Sequence, residues 1–132
     1  MHRLPREAAL WLPPVLLMAL IFTLSAMPND DVDRGLLHLF SRKVGHFVEY
    51  ALLVVLWWRA LRTRLALRAA IGVAFALAVA YAATDELHQR SVEGRVGTPR
   101  DVLIDASGAA AAAGLLLRRR EREPRARASG PR

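Results

Sequence analysis

Residues 85–105 read DELHQRSVEGRVGTPRDVLID and separate two strongly apolar segments. This charged stretch holds eight charged side chains and His88, whereas the flanking sequences consist mainly of Ala, Val, Leu, Gly and Phe. Its acids are Asp85, Glu86, Glu93, Asp101 and Asp105, and its bases are Arg90, Arg95 and Arg100. The stretch therefore predicts a polar site that apolar helices hold in place.

The composition is typical of a membrane protein. The chain has 132 residues, enough for one domain, and 54% of them are hydrophobic. The net charge of +7 comes from the termini and loops, where membrane topology explains it, so nucleic acid is not expected as a partner. The absence of cysteine excludes disulfides, thiolate metal sites and cysteine nucleophiles.

Four apolar segments are predicted to cross a hydrocarbon core about 30 Å thick. They cover residues 8–24, 44–61, 69–84 and 102–117. The predicted fold is all-α, a polytopic integral membrane four-helix bundle over residues 8–117, after an N-terminal segment 1–7 and before a disordered, arginine-rich tail 118–132. The small residues from Gly108 to Gly114 predict close packing of the fourth span.

The first segment has an alternative interpretation, and two further features bear on how the chain lies in the membrane. Arg3 and Arg6 before the first apolar run would also suit a secretory signal, although the Pro13–Pro14 pair and the lack of a following soluble domain favour a span. Residues 35–40 form a short apolar patch that we expect along the membrane interface. The third and fourth spans have 16 residues each, about 24 Å of helix, so the charged stretch is predicted to be partly recessed.

The distribution of Lys and Arg predicts the orientation, because cytoplasmic loops carry the excess. Thirteen of the 19 lie in the N-terminal segment, the link between the second and third spans, and the tail. All three Trp lie at span ends on the same side of the membrane as these basic segments. Both termini are therefore predicted to be cytoplasmic in a multi-pass protein of the cell membrane, with the charged stretch facing the extracytoplasmic side.

The start of the second span supplies one half of the predicted site. Lys43, His46 and Tyr50 share a helical face, and Glu49 lies beside it. Ionisable residues inside a span are costly, about 2.5–3.5 kcal/mol at the helix centre, and are functional candidates by default. The alternative is that Glu49 only pairs with an arginine of the outer loop.

The charged stretch supplies the other half. Asp85 and Gln89 share a face of the third helix, and Asp101 and Asp105 share a face of the fourth. The predicted catalytic residues are His46, Glu49 and Asp85, and the predicted ligand-binding residues are Lys43, Tyr50, Glu86, Gln89, Arg95, Arg100, Asp101 and Asp105. Carboxylates, an amide and guanidiniums suit a polar ligand bearing phosphate, carboxylate or sugar hydroxyls.

A metal site is a more specific alternative for the same residues. The oxygen and nitrogen donors of His46, Glu49, Asp85, Glu86 and Asp101 are acceptable ligands, but no paired spacing such as HExxH occurs, and mutual ion pairs explain the same residues. No metal is assigned, and the sequence identifies no cofactor. His88 is expected to be an exposed loop side chain.

An ordered set of motifs resembles the VanZ-like family of membrane proteins. The matching segments are SAMP at 25–28, KVGHFVEY at 43–50 with Leu53, DELHQ at 85–89 with Gly94 and Arg95, and Asp101–Val102 with Gly108 and Gly114. The resemblance covers most of residues 20–117 and departs from the family at Asp105, where similar proteins usually carry Asn. The partner expected for this extra acid is Arg95 or Lys43. It implies an envelope-located protein, linked in some members to lowered susceptibility to teicoplanin and related lipoglycopeptides.

Three functions remain open from the sequence. The first is recognition of an anionic lipid or cell-envelope precursor headgroup by the outer polar site. The second is a membrane-embedded hydrolase or transferase acting on a lipid-linked phosphate or sugar, with Glu49 or Asp85 as general base, His46 as proton shuttle and Arg95 stabilising phosphate charge. The third is a small transporter or channel subunit, which would need an oligomer to complete a polar path. The sequence does not decide the oligomeric state.

Overall fold

The computed structural model describes residues 5–27, 35–92 and 98–128. For residues 35–39 and 120–128 it describes the backbone only. Four helices account for nearly all of the described chain: α1 Arg6–Ser25, α2 Gly35–Leu61, α3 Leu67–Gln89 and α4 Pro99–Ala128. The predicted all-α class is therefore confirmed.

Three of the helices are long and apolar enough to cross a membrane. They are Arg6–Ser25, Phe40–Leu61 and Leu67–Gln89, with mean hydropathies of 2.0, 1.3 and 1.7. The predicted fourth span is not among them. Asp105 and Arg118 leave only twelve uncharged residues between them on α4, about 18 Å of helix, which is too short for the hydrocarbon core.

Helix boundaries differ from the predicted spans in two places. The patch 35–40, which we expect along the interface, forms the first turns of α2. At the other end of the chain, α4 continues to Ala128 through a tail predicted to be disordered. Alanine, arginine and glutamate, which dominate that tail, are among the strongest helix formers, so local propensity favours the continuation.

The helices form an up-and-down arrangement with α2 and α3 in the middle. α2 packs on all three other helices, and α3 does so too, whereas α1 and α4 do not contact each other within the described residues. The core consists of Ile21 from α1, Tyr50, Leu53 and Val54 from α2, Ala74, Ala78 and Ala82 from α3, and Ala109 and Ala112 from α4. Small side chains on α3 and α4 let their backbones approach closely.

Gly108 allows the closest approach of α4 to α2. A Cβ atom at this position would overlap the carbonyl oxygen of Phe47. Gly114, one and two-thirds turns further along α4, has open space around its Cβ position. The prediction of close packing from the small residues of α4 is thus confirmed at Gly108 and does not extend to Gly114.

The two ends of the bundle are chemically different. At one end Arg59 donates a hydrogen bond to the carbonyl oxygen of Ala9 (3.0 Å) and Arg64 pairs with Glu7 (3.2 Å), which joins the start of α1 to the end of α2. Arg62 lies over the ring of Trp58 at the same end. We call this the arginine end. The opposite end, where α1 and α3 finish and α2 and α4 begin, carries the acidic side chains.

Candidate functional site

The acidic end of the bundle brings together the two halves of the predicted site. The last turn of α1, the first half of α2, the last turns of α3 and the first turns of α4 all contribute side chains there. Five of these polar side chains are buried: Ser25, Asp85, Glu86, Gln89 and Asp105 are 2%, 2%, 4%, 8% and 4% exposed. Buried polar groups on apolar helices need specific partners, so their arrangement determines the chemistry of this end.

Asp85 is the centre of a buried hydrogen-bond network between α1 and α3. The hydroxyl of Ser25 donates to its Oδ2 atom at 2.9 Å, and the amide of Gln89 donates to the same oxygen at 2.8 Å. Gln89 also donates to the hydroxyl oxygen of Ser25 at 3.4 Å. The i, i+4 spacing of Asp85 and Gln89 on one helix allows this geometry. The second carboxylate oxygen of Asp85 is left for another donor.

His46 and Asp105 join α2 to α4 beside this network. The Nδ1 atom of His46 lies 3.5 Å from Oδ1 of Asp105, and the two side chains are 23% and 6% exposed. The imidazole stacks near the ring of Tyr50, with centroids 6.5 Å apart. Tyr50 is fully buried and lies next to Tyr81, whose hydroxyl donates to the carbonyl oxygen of Met18 at 2.6 Å. The aromatic pair forms a floor between the polar groups and the apolar core.

Lys43 and Asp101 form an ion pair at the rim. Their Nζ and Oδ1 atoms are 2.7 Å apart, and the hydroxyl of Thr98 donates to Oδ2 of Asp101 at 2.8 Å. Partial burial by itself would raise the pKa of Asp101, but the hydrogen bonds from Lys43 and Thr98 outweigh it and hold the pKa below the ordinary value. Asp101 is therefore a carboxylate that fixes the start of α4 against α2.

Glu49 and Glu86 complete the acidic group. Glu49 is half-buried on α2, close enough to His46, Asp105 and Asp85 to interact electrostatically with them. Glu86 is buried, and its Oε1 atom lies 3.7 Å from Nε of Arg90, one turn further along α3. Within the described part of the chain Glu49 forms no ion pair. The alternative interpretation, in which Glu49 only pairs with an arginine, therefore has no described arginine to support it.

Several buried polar atoms at this end have no hydrogen-bond partner within the described residues. Three of them are carboxylate oxygens, one is a hydroxyl and one is an imidazole nitrogen: Asp85 Oδ1, Glu86 Oε1, Asp105 Oδ1, Tyr50 OH and His88 Nε2. An unsatisfied buried polar group costs about 1–3 kcal/mol, which makes such atoms unusual in a folded protein. The indole nitrogens of Trp57 and Trp58 are the other such atoms among the described side chains, so all of the unpartnered carboxylate oxygens lie at the acidic end, where they can accept hydrogen bonds.

Most of the residues singled out from the sequence meet at this end, with two exceptions. Lys43, His46, Glu49 and Tyr50 from α2 lie with Asp85, Glu86, Gln89, Asp101 and Asp105 from α3 and α4. Arg100 is exposed and has no ion pair within the described ranges. Arg95 lies outside the described residues.

Two expectations about individual side chains need correction. Of the two partners expected for Asp105, Lys43 pairs with Asp101 instead and Arg95 lies outside the described residues, while Asp105 lies against His46. His88 is not a loop side chain: it belongs to the last turn of α3, and its ring stacks on Phe22 with centroids 4.2 Å apart. His88 gains this fixed neighbour because α3 extends further than the apolar segment of the sequence.

Two polar residues of this end were not singled out as site residues. Ser25 is the last residue of α1, and Thr98 directly precedes α4. A hydroxyl at the boundary of an apolar segment is a usual helix-end residue, so it carries little functional signal by itself. The position of Ser25 in the SAMP motif was the only available indication.

The arrangement sets limits on the chemistry. Across the described ranges no group of three or more His, Asp or Glu side chains is placed to hold a metal ion. The His46–Asp105 contact resembles the pairing that orients a catalytic base, in which a carboxylate holds one imidazole nitrogen and leaves the other for proton transfer. The buried carboxylates, by contrast, suit the binding of hydroxyl or ammonium donors.

Comparison with known proteins bears on the whole bundle. The family model described as VanZ/LLP1 matches residues 10–120, which cover α1, α2, α3 and most of α4. No curated protein and no solved structure matches the chain.

Proposed function

The chain belongs to the VanZ/LLP1 family, and from this premise we propose that it is a membrane protein that recognises the headgroup of an anionic lipid or a cell-envelope precursor. The acidic end of the bundle is the proposed binding site, facing the extracytoplasmic side of the cell membrane. The observation that carries the proposal is the convergence of four helices on three buried carboxylates, each with one oxygen that has no hydrogen-bond donor within the described residues.

The unpartnered oxygens define what the ligand must bring. Carboxylates accept hydrogen bonds, so Asp85 and Asp105 favour a ligand rich in hydroxyl or ammonium donors. Sugar-bearing and amino-bearing headgroups have such donors. A bond to a charged acceptor contributes about 1.5–3 kcal/mol, so two of them would support specific recognition.

The anionic part of the headgroup belongs at the rim in this proposal. Lys43 is already paired with Asp101, and Arg90 lies beside Glu86, so neither is a free cation. Arg100 is exposed in the first turn of α4, and we assign phosphate contact to it together with Arg95. Donor-rich and phosphate-bearing parts of one headgroup would thus contact different parts of the site.

The proposal is tested by lipid binding to the full chain in nanodiscs, measured by native mass spectrometry. The probes are phosphatidylglycerol and a polyprenyl diphosphate carrying a sugar. We expect Asp85→Asn to weaken binding of the sugar-bearing lipid about tenfold, the equivalent of roughly 1.4 kcal/mol. Replacing Arg95 and Arg100 together with Ala should weaken binding of both lipids.

Thr84→Ala is the matched control, because Thr84 is exposed on the same helix next to Asp85. This variant should bind like the unmodified protein. Binding that is unchanged in both Asp85→Asn and the Arg95→Ala, Arg100→Ala double variant would contradict headgroup recognition at this end.

The His46–Asp105 contact favours a second candidate function, a membrane-embedded hydrolase of lipid phosphates. Asp105 would hold Nδ1 of His46, so that Nε2 accepts the proton of a water that attacks phosphorus. The P–O bond to the lipid then breaks, and Nε2 returns the proton to the departing lipid alkoxide. This assignment makes His46 the general base, with Glu49 and Asp85 as neighbouring carboxylates.

Release of inorganic phosphate from lipid phosphates, measured with and without a chelator, tests the hydrolase. We expect His46→Gln to lower the rate about 10²–10⁴-fold, the usual contribution of a general base. Glu49→Gln should have a smaller effect, because Glu49 interacts with His46 only through its charge. The absence of turnover under both conditions would rule this candidate out.

We extend the first proposal to teicoplanin, the antibiotic linked to some members of the resembling family. A protein that occupies envelope precursor headgroups would change access of a lipoglycopeptide to them. Expression of the chain in a susceptible bacterium should then raise the minimal inhibitory concentration of teicoplanin, and Asp85→Asn should remove the increase. If expression leaves the minimal inhibitory concentration unchanged, the extension to teicoplanin is wrong, and only the proposal of headgroup binding stands.

A further inference from the structure

A groove lies between α3 and α4, distant from the acidic end. Its volume is about 350 Å³, and it is lined by Arg68, Ile71, Gly72, Phe75, Ala113 and Leu117. The α3 residues follow at i, i+3, i+4 and i+7, which makes one continuous stripe along that helix. Ala113 and Leu117, spaced i and i+4, form the facing stripe on α4.

The groove is open because glycine occupies its wall. A Cβ atom at Gly72 would meet no heavy atom within 4 Å, so the missing side chain leaves real space. Ile71 is buried and forms the floor, while Phe75 and Ala113 are half-buried at the sides. An apolar channel of this shape suits one flexible hydrocarbon chain.

A cation lies at the mouth of the groove, at the arginine end. Around the turn between α2 and α3, Arg59, Arg62 and Arg64 each have a partner: a carbonyl, an indole ring and a carboxylate. Arg68 is exposed and has no ion pair, hydrogen bond or ring contact within the described residues. Arg118 and Arg119, also exposed, directly follow Leu117 on the other wall.

We propose that this groove binds an anionic phospholipid, whose acyl chain lies along Gly72 and Phe75 and whose phosphate contacts Arg68. Basic pockets between helices at a membrane face are sites for anionic lipid headgroups, and each Lys or Arg near the surface contributes about 1 kcal/mol of attraction. The volume favours a single chain over a helix of a second copy, because a helix with its side chains is about 10–12 Å wide. Under the predicted orientation the lipid belongs to the cytoplasmic leaflet, on the opposite side from the proposed headgroup site.

The test measures retention of phosphatidylglycerol and phosphatidylcholine by the full chain in mixed vesicles or micelles, by native mass spectrometry. The unmodified protein should retain phosphatidylglycerol preferentially. Arg68→Gln should lower its affinity for phosphatidylglycerol about fivefold with little effect on phosphatidylcholine, since it removes one charge. Gly72→Leu should lower the retention of both lipids, because the new side chain fills the groove.

Two matched variants complete the experiment. Gly114→Leu makes the same substitution in open space outside the groove, and Arg62→Gln removes an arginine of the same end that is engaged with Trp58. Both should retain the preference for phosphatidylglycerol. Equal retention of the two lipids by the unmodified protein would overturn the proposal, and so would equal losses of bound lipid in Gly72→Leu and Gly114→Leu. A dimer that Gly72→Leu dissociates without any change in bound lipid would also overturn it.

Discussion

At the scale of single residues, Asp85 has the most demanding environment in the chain. It is 2% exposed, accepts hydrogen bonds from two helices through one oxygen, and has a second oxygen that meets no donor among the described residues. One part of the carboxylate thus holds α1 to α3, and the other part remains available to a ligand. A structural and a recognition role can be separated by substitution, because asparagine keeps an acceptor and alanine does not.

Asp85→Ala should destabilise the protein by about 1–3 kcal/mol, since Ser25 and Gln89 then lose their buried acceptor. Asp85→Asn should cost less, because its amide oxygen can replace Oδ2. Thermal unfolding in detergent measures both, with Thr84→Ala as the control, expected within about 0.5 kcal/mol of the unmodified protein. Equal stability of Asp85→Ala and Thr84→Ala would contradict the network.

The Lys43–Asp101 pair gives a pH dependence at the same scale. The pKa of Asp101 is lower in the folded protein than its ordinary value, so the pair stabilises the fold above that value. This contribution is lost as the pH falls through the folded pKa, in the acid range below about pH 4. Both side chains are partly exposed, so the effect should be modest, about 0.2–1 kcal/mol, and smaller at high salt.

Comparison of unfolding curves for the unmodified protein and Asp101→Asn measures this contribution. The two proteins should differ at neutral pH and converge below the folded pKa of Asp101. A difference that persists unchanged at low pH would show that Asp101 acts without its charge.

At the scale of helices, the contact between α2 and α4 positions the site. It brings His46 to Asp105 and Lys43 to Asp101, and it depends on the close approach of the Gly108 backbone to Phe47. α4 itself has a shorter uncharged segment than a membrane span needs. We infer that packing against α2 and α3, more than its own hydropathy, holds this helix in the bundle.

Gly108→Ala should therefore destabilise the protein by about 1–3 kcal/mol, because the added methyl group meets backbone atoms that cannot rotate away. Gly114→Ala on the same helix should be neutral or stabilising by up to about 1 kcal/mol, since it meets open space and alanine favours the helix. Thermal unfolding compares the two. The reverse order of stability would show that α4 does not approach α2 at Gly108.

At the scale of the whole molecule, charge divides the bundle into two ends. The arginine end carries the turn between α2 and α3, and the acidic end carries the proposed headgroup site. The excess of Lys and Arg predicts that the arginine end is cytoplasmic. The two proposed lipid contacts would then belong to opposite leaflets.

Single cysteines test this orientation directly, because the chain has none of its own. Thr63 lies at the arginine end and Ser91 at the acidic end, and both are exposed. A membrane-impermeant maleimide should label Ser91→Cys in intact cells and Thr63→Cys only after the membrane is opened. The opposite pattern would reverse the orientation and place the acidic end in the cytoplasm.

The sequence by itself determined the helical class and the two groups of polar residues. Apolar segments of near-spanning length specify helices, because only internal hydrogen bonding satisfies a backbone in hydrocarbon, and isolated charges within them mark a site. The tertiary structure decided the partners: Ser25 for Asp85, His46 for Asp105, and Lys43 for Asp101. These residues are about 60 positions apart in the chain, and their pairing follows from the crossing and rotation of packed helices, which no local pattern of hydropathy or charge encodes.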